Sequence, residues 1–296
     1  MIEEPLYNYL CASERLTSLL TTFQGIPAIF QQIAPKDTDG DWGEMQFARI
    51  VYDIDKTGDD ERKISGTLFM DVMCSDKSTP PEDIEKVLKE LVDGHFFVAD
   101  GMSYAARWEM TDGFKSEENN KVFGCTLSFS IVAFPVQLSS APDTVALMNS
   151  WTAQMFPEAI IINETETEQV FMPTDEKPAI YWSIQGFSKS PIEMGWACTW
   201  LQSNLSMHVI APSESTRTSI IKTAISELKE KTRVLFPDKK QFIIHQLMVN
   251  FAVNPYRTGQ LTVQGSFPNL RKSTKAEPLR NINHQPYRRG ISRYGK

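Results

Sequence analysis

Two short runs of alternating acidic residues are the strongest candidates for metal chemistry in this chain. Asp37, Asp39 and Asp41 match the start of a calcium-binding loop. Such a loop needs a glycine at its sixth position and a glutamate at its twelfth, where Ala48 stands, so an EF-hand is excluded. The second run, residues 164–168, alternates glutamate with threonine and is typical of a solvated loop or strand edge. We therefore predict no metal site and no cofactor.

Histidine and cysteine, which could act as ligands or nucleophiles, are scattered along the chain. None of the four histidines lies in a metalloprotease-like motif, and no two cysteines form a CxxC pair. We interpret the histidines as structural or surface residues and the cysteines as reduced thiols, as in a protein made in a cytosol. The residues concerned are His95, His208, His245, His284, Cys11, Cys74, Cys125 and Cys198.

Sequence motifs for common enzymatic reactions are also missing. The chain contains no GxSxG elbow, no phosphate-binding P-loop and no GxGxxG dinucleotide motif. These observations predict a protein that is not an enzyme, and an enzyme with an unrecognised motif is kept as a third hypothesis.

A basic C-terminal tail is the most distinctive charged feature. Residues 271–296 hold eight basic residues against Glu277 alone, a charge of +7, whereas the whole chain carries −7, so residues 1–270 carry −14. An acidic body with a basic tail favours self-assembly or docking to a partner. We predict partner docking through six tail residues: Arg280, Tyr287, Arg288, Arg289, Arg293 and Tyr294.

Length and hydropathy indicate a two-domain globular protein. The chain has 296 residues, which is enough for about two domains, and 41% of them are hydrophobic. No apolar run approaches the roughly 18 residues of a membrane span, so we expect no membrane partner. The acidic start, residues 1–5, lacks the basic region of a signal peptide.

The order of elements repeats within the chain. The segment 71–73 precedes a helical stripe at Ile84, Val87, Leu88 and Leu91, and the segment 208–210 precedes a similar stripe 137 positions later. The second stripe consists of Ile221, Ala224, Ile225 and Leu228. Ile50-Val51-Tyr52 and Ile180-Tyr181-Trp182 match at an offset of 130, as loop insertions between copies would produce.

Each half is predicted to be a helix, a short strand, a hairpin, a second helix and a second hairpin. Hydrophobic spacing predicts helices at residues 6–22, from Pro80 to Gly94, at 143–156 and at 213–231. Strand-like alternation predicts antiparallel pairs between them. The predicted fold class is α+β, with two similar domains, each a mostly antiparallel sheet packed with two helices. The predicted domains are 1–137 and 143–268, followed by an extended basic tail at 269–296.

The same segments resemble the tail-completion or tail-terminator proteins of tailed bacteriophages. The resemblance is carried by the leucine-rich opening helix, Ile29-Phe30 leading to Ala34-Pro35, Ile50-Val51-Tyr52, and Gly66 to Val72 followed by a helix near residue 84. It covers residues 6–135 best and 143–268 more weakly. The resemblance implies small α+β domains that form a ring capping the tail tube and joining it to the head. Single-unit members of the family close as hexamers. The second unit and the basic tail are departures from the family pattern.

Two function hypotheses from different classes follow. The first is a structural virion protein of a tail or neck, made in the host cytoplasm. Its partners would be itself, the tail tube protein and head–tail connector proteins. The ring would be a hexamer with a second tier or a trimer with pseudo-sixfold symmetry. The alternative is a nucleic-acid-binding protein acting through the basic tail, although a body charge of −14 disfavours phosphate binding and no sequence-specific nucleic acid is expected.

Overall fold

The structure is a computed structural model that describes residues 2–115, 121–137, 142–164, 168–190 and 198–270. Over those residues the chain forms five helices, a two-stranded hairpin and two larger sheets of seven and six strands. Helices set against mostly antiparallel sheets confirm the predicted α+β class.

The first half of the chain supplies three helices and eight strands. Ser13 interrupts the opening helix, because its side chain accepts a hydrogen bond from the backbone N–H of Leu16 and starts a second, short helix. The predicted helix at residues 6–22 was therefore wrong in both its continuity and its ends. The elements are α1 Glu3–Ala12, α2 Glu14–Thr17, β1 Thr22–Phe23, β2 Ile26–Pro27, β3 Ile29–Gln31, β4 Arg49–Asp55, β5 Gly66–Ser75, α3 Pro81–Val92, β6 Phe96–Ala99, β7 Met102–Lys115 and β8 Val122–Phe134.

The second half supplies two helices and seven strands. The elements are α4 Thr144–Met155, β9 Ile160–Ile161, β10 Val170–Phe171, β11 Ala179–Lys189, β12 Cys198–Ile210, α5 Glu214–Lys231, β13 Arg233–Leu235, β14 Gln241–Val249 and β15 Leu261–Leu270. Each half thus has a short strand after its second long helix: β6 follows α3 and β13 follows α5. The predicted pattern has only a hairpin at this point and omits this strand.

The two large sheets follow the same succession of strands. The first has the order β10-β6-β7-β8-β5-β4-β3 and the second β13-β14-β15-β12-β11-β9. β3 runs parallel to β4 in the first sheet, and β9 runs parallel to β11 in the second. All other neighbouring strands of the two sheets are antiparallel. The exception is β10, which belongs to the second half of the chain but pairs with the outer edge of β6 in the first sheet.

Helix α3 begins at a proline pair without a side-chain cap, whereas a serine side chain caps the start of α5. Pro81 is the first residue of α3, and the Ser213 hydroxyl accepts a 3.1 Å hydrogen bond from the Thr216 N–H at the start of α5. Ile84 is fully buried on α3 and Ile221 is fully buried on α5. Ile225, predicted to share that stripe, is only half-buried, so the buried face of α5 is narrower than the sequence pattern indicates.

Three hydrophobic clusters hold the molecule together. One lies between α1, α3 and the first sheet, and a second lies between α4, α5 and the second sheet. The third contains buried side chains from both halves and lies between the two sheets. The two halves are therefore packed on each other through apolar surface.

Candidate docking surfaces

The junction between the halves is built around the fully buried ring of Phe96 on β6. This ring stacks on Phe171 of β10 with a centroid distance of 5.0 Å, and it lies 5.2 Å from the ring of Phe134. Tyr256, from the loop before β15, also stacks on this ring, with a centroid distance of 6.2 Å. Aromatic pairs at these distances add to the free energy gained by burying their surface.

Backbone pairing reinforces the junction. Val170 and Phe171 of β10 lie opposite Phe97 and Phe96 of β6, and the N–H of Val98 donates a 2.8 Å hydrogen bond to the carbonyl of Gln169. The second half thus closes the edge strand of the first sheet, an edge that would otherwise be left without a partner strand.

Polar contacts surround this apolar centre. Asn163 donates a 2.8 Å hydrogen bond from Nδ2 to the carbonyl of Phe134. The hydroxyl of Tyr181 donates to the carbonyl of Pro135 at 2.7 Å, and Arg257 forms a 3.0 Å ion pair with Glu109. Each contact joins the two halves, so their relative placement is specified by directional bonds as well as by packing.

His208 is a buried member of the same junction. Its Nδ1 lies 2.8 Å from the carbonyl oxygen of Pro255 and its Nε2 lies 3.4 Å from the Ser183 hydroxyl. Because that carbonyl can only accept, Nδ1 carries the proton of a neutral ring. Burial lowers the pKa of His208 to about 4, partly opposed by the hydrogen bond to Pro255. The histidine is a structural residue, as its sequence context predicts.

The neutral state of His208 predicts a pH-dependent stability. Its folded-state pKa lies below the unfolded value of about 6.5, so its contribution is fully present above pH 6.5 and is lost as the pH falls towards 4. We expect a loss on the order of 3 kcal/mol from this residue. Urea unfolding at a series of pH values should show the loss in the wild type, and a His208→Gln variant should show a shallower slope. An unchanged slope in the variant would refute the assignment.

A polar cleft of about 370 Å³ opens beside the junction. Arg107 forms a 3.2 Å ion pair with Asp93 and lies over the ring of Tyr256 at 4.6 Å. Arg217 donates hydrogen bonds to the backbone carbonyls of Ala211 and Pro212. Because both arginines are engaged within the protein, we interpret this cleft as part of the junction.

The outer edge of β13 is the second candidate docking surface. It is the last strand of the second sheet, and no described strand pairs with its outer side. Leu235 on this strand is 58% exposed. Two adjoining grooves, of about 490 and 430 Å³, run between β13 and α4 and share Leu147, Ser150, Gln154 and Leu235 in their walls.

The predicted docking residues of the tail lie outside the described residues. This applies to all six: Arg280, Tyr287, Arg288, Arg289, Arg293 and Tyr294. Their role in docking therefore stays a prediction.

One carboxylate of each acidic run has a partner within the protein. Asp37 forms a 2.6 Å ion pair with Arg49, and Glu164 accepts a 3.0 Å hydrogen bond from Asn149 Nδ2. Residues 165–167 of the second run lie outside the described part of the chain. Within the described ranges, no group of three or more histidine, cysteine, aspartate or glutamate side chains is placed to hold a metal ion.

The four cysteines are free thiols, and burial keeps Cys74 and Cys125 protonated. Burial raises the pKa of Cys74 to about 11 and that of Cys125 to about 12. Such thiols are poor nucleophiles near neutral pH because the reactive species is the thiolate.

Comparisons with known proteins leave the function to be inferred from sequence and geometry. No protein-family model matches the chain, and no curated protein resembles it significantly. Among the described residues, no helix combines the length and apolar character needed to cross a membrane.

Sequence reasoning missed both surfaces that the structure reveals. β6 and β13 are only four and three residues long and follow directly on helices. The only sequence signal at β6 is the pair Phe96-Phe97 after the helix-ending Gly94. At β13, the run Arg233-Val234-Leu235 gives no indication of an open edge.

Proposed function

We propose that this chain is a non-enzymatic structural protein of a bacteriophage tail or neck, which forms a ring that terminates the tail tube and joins it to the head. The link to phage tails comes from the sequence resemblance. The observation that carries the ring is the arrangement of the two halves, in which one strand edge is closed by the other half and the corresponding edge is open.

We also propose that the two halves are copies of one tail-terminator-like domain, residues 1–137 and 143–268. The shared succession of strands supports this, because a chance pairing of α+β domains would rarely give six strands in the same order with one parallel pair at the same end. The buried isoleucines Ile84 and Ile221 lie on the helix that follows β5 in the first half and on the helix that follows β12 in the second.

The contact between the halves is heterologous, which is the type of contact that builds rings. Phe171 of the second half packs on Phe96 of the first half, and the first half does not return the same contact. Repetition of a heterologous contact around an axis closes into a ring when the rotation allows it. Three chains would then supply six similar domains, so we favour the trimer with pseudo-sixfold symmetry over the two-tiered hexamer.

The basic tail supplies a test that separates this function from the nucleic-acid alternative. We propose that residues 271–296 dock on an acidic surface of a neighbouring subunit or ring, with Arg288 and Arg289 meeting carboxylates. Deleting the tail is expected to lower the yield of complete particles while the remaining chain stays folded. Particle yield by electron microscopy and infectivity by complementation measure the effect.

Three outcomes distinguish the readings. A lower yield of complete particles from the deletion variant, together with no DNA binding by the intact chain, supports the docking role. Normal assembly and infectivity without the tail would contradict it. Salt-dependent binding of the intact chain to DNA, lost in the deletion variant, would favour the nucleic-acid-binding protein instead.

A further inference from the structure

The pairing of β10 with β6 shows how an edge strand of this fold can be closed. The segment that does so belongs to the connection between β9 and β11, the second parallel pair of strands in the chain. Its key bond is the 2.8 Å hydrogen bond from Val98 N–H to the Gln169 carbonyl. A connection from one half therefore extends the sheet of the other half by β-strand addition.

The edge of β13 offers the same groups in the same positions. The carbonyl of His95 accepts from the Ala106 N–H before β6, and the carbonyl of Thr232 accepts from the Ile244 N–H before β13. Val98 follows His95 at the same spacing as Leu235 follows Thr232, so Leu235 is the position on β13 that is equivalent to Val98 on β6. Since backbone groups alternate in an antiparallel pair, Leu235 directs its N–H and carbonyl away from β14, as Val98 directs its own towards β10.

The first half contains a connection equivalent to the one that carries β10. It joins β3 to β4 and spans residues 32–48. When β3 is aligned with β9, the positions equivalent to β10 are 38 and 39. When β4 is aligned with β11, they are 40 and 41. Within its own chain, this connection pairs with the β1–β2 hairpin around Trp42, which bridges to Phe23. The carbonyl of Asp41 accepts from the Gln24 N–H and the N–H of Gly43 donates to the Thr22 carbonyl, both at 2.9 Å, so the hairpin contacts lie beyond positions 38 and 39.

Charge and exposure also match the two surfaces. The connection carries exposed carboxylates at Asp37, Asp39 and Asp41, and its Ile33 is 81% exposed. The β13 edge carries the exposed side chain of Arg233, whose Nη1 donates a 3.2 Å hydrogen bond to Gln241 Oε1. The turn that follows holds Lys239 and the ion pair of Lys240 with Asp238, so the edge has an excess of positive charge. An acidic segment meeting a basic edge favours the pairing and disfavours the pairing of two identical edges.

We infer that a second copy of this chain adds its residues 32–41 as a strand along the outer edge of β13. Each chain would then give the connection from its first half to one neighbour and accept a connection on its second half from the other. This repeats between chains the contact that β10 and β6 make within one chain. The inference rests on the ring of the proposed function and identifies the surface that closes it.

A charge exchange tests this contact. Arg233→Asp and Asp39→Lys, made singly, are expected to weaken self-association by about tenfold or more, and the double variant should restore it. Asp39 is preferred because Asp37 pairs with Arg49 and the Asp41 carboxylate accepts a 2.7 Å hydrogen bond from Gln24 Nε2. The Asp39 carboxylate itself accepts a 3.1 Å hydrogen bond from the Asp41 N–H within its own turn. Lys222→Asp, at an exposed position on α5, is the matched control for the change in net charge and should assemble normally. Self-association is measured by analytical ultracentrifugation of the full chain over a range of concentrations.

A second variant tests the backbone bond directly. Leu235→Pro removes an N–H that the β13–β14 ladder does not use, and proline is tolerated on edge strands. It should abolish assembly while circular dichroism stays that of the wild type. If this variant fails to fold, the charge exchange alone decides.

Failure of the inference and failure of the ring are distinguishable. Rings that persist in both single charge variants, or a double variant that does not recover, would overturn the β13 contact and leave the ring intact. Rings lost only on deletion of residues 271–296 would identify the tail as the occupant and overturn the inference. A wild-type chain that is monomeric at every concentration would overturn both.

Discussion

An aspartate in place of Ile84 is expected to destabilise the protein by about 4 kcal/mol or more. Ile84 is fully buried between α3 and the first sheet, so the new carboxylate would enter an apolar core without a partner. The equivalent change, Ile221→Asp, should have a comparable effect because Ile221 is fully buried between α5 and the second sheet. Urea unfolding followed by circular dichroism measures both, and a variant that is recovered only as aggregate counts as a large loss.

The matched control is Ile225→Asp, one helical turn further along α5. Ile225 is only half-buried, so its replacement should cost about 1–2 kcal/mol. Equal losses at Ile221 and Ile225 would contradict the described orientation of α5. A small loss at Ile84 together with a large one at Ile221 would contradict the equivalence of the two helices.

The second large effect is expected at the junction between the halves. Phe96→Ala should cost about 3–5 kcal/mol, the usual range for removing a buried phenylalanine ring. The loss should fall on the contact between the halves, because this ring touches Phe171 and Tyr256 from the second half. Calorimetry should therefore show one transition in the wild type and two separated transitions in the variant.

Phe69→Ala is the control for the junction variant. Phe69 lies on β5 of the same sheet and is 39% exposed, so its replacement should cost about 1 kcal/mol or less and leave a single transition. A single, merely lowered transition in Phe96→Ala would show that the halves unfold together without depending on this cluster.

The longer elements could be predicted from the sequence because each carries a local signal. Prolines and acidic residues at the start of α3, and Ser213 at the start of α5, are capping signals whose physical effect is confined to one turn of helix. Alternation of apolar and polar residues indicated β5 because one face of that strand packs on helices.

The remaining features depend on contacts between distant parts of the chain. Val170 and Phe171 become a strand only because the edge of β6 is available to them. β7 stays paired with β8 as far as Lys115 across a register shift between Trp108 and Met110. Such pairings are set by tertiary structure, which overrides local propensity.

The candidate site could be predicted only in part for the same reason. Charge counting identified the basic tail, since charge is a property of composition. The open edge of β13 could not be found that way, because Leu235 is exposed only as a consequence of where the second sheet ends.

We propose that this chain assembles into a closed ring of similar domains, and native mass spectrometry of the purified full-length protein tests this proposal most directly. The chain has a mass of 33.6 kDa, so a trimer with pseudo-sixfold symmetry is expected at about 101 kDa, and two-dimensional electron microscopy classes of the same sample should show six similar lobes around a lumen. A species at 33.6 kDa across the micromolar range, with no ring-shaped particles, would contradict the claim.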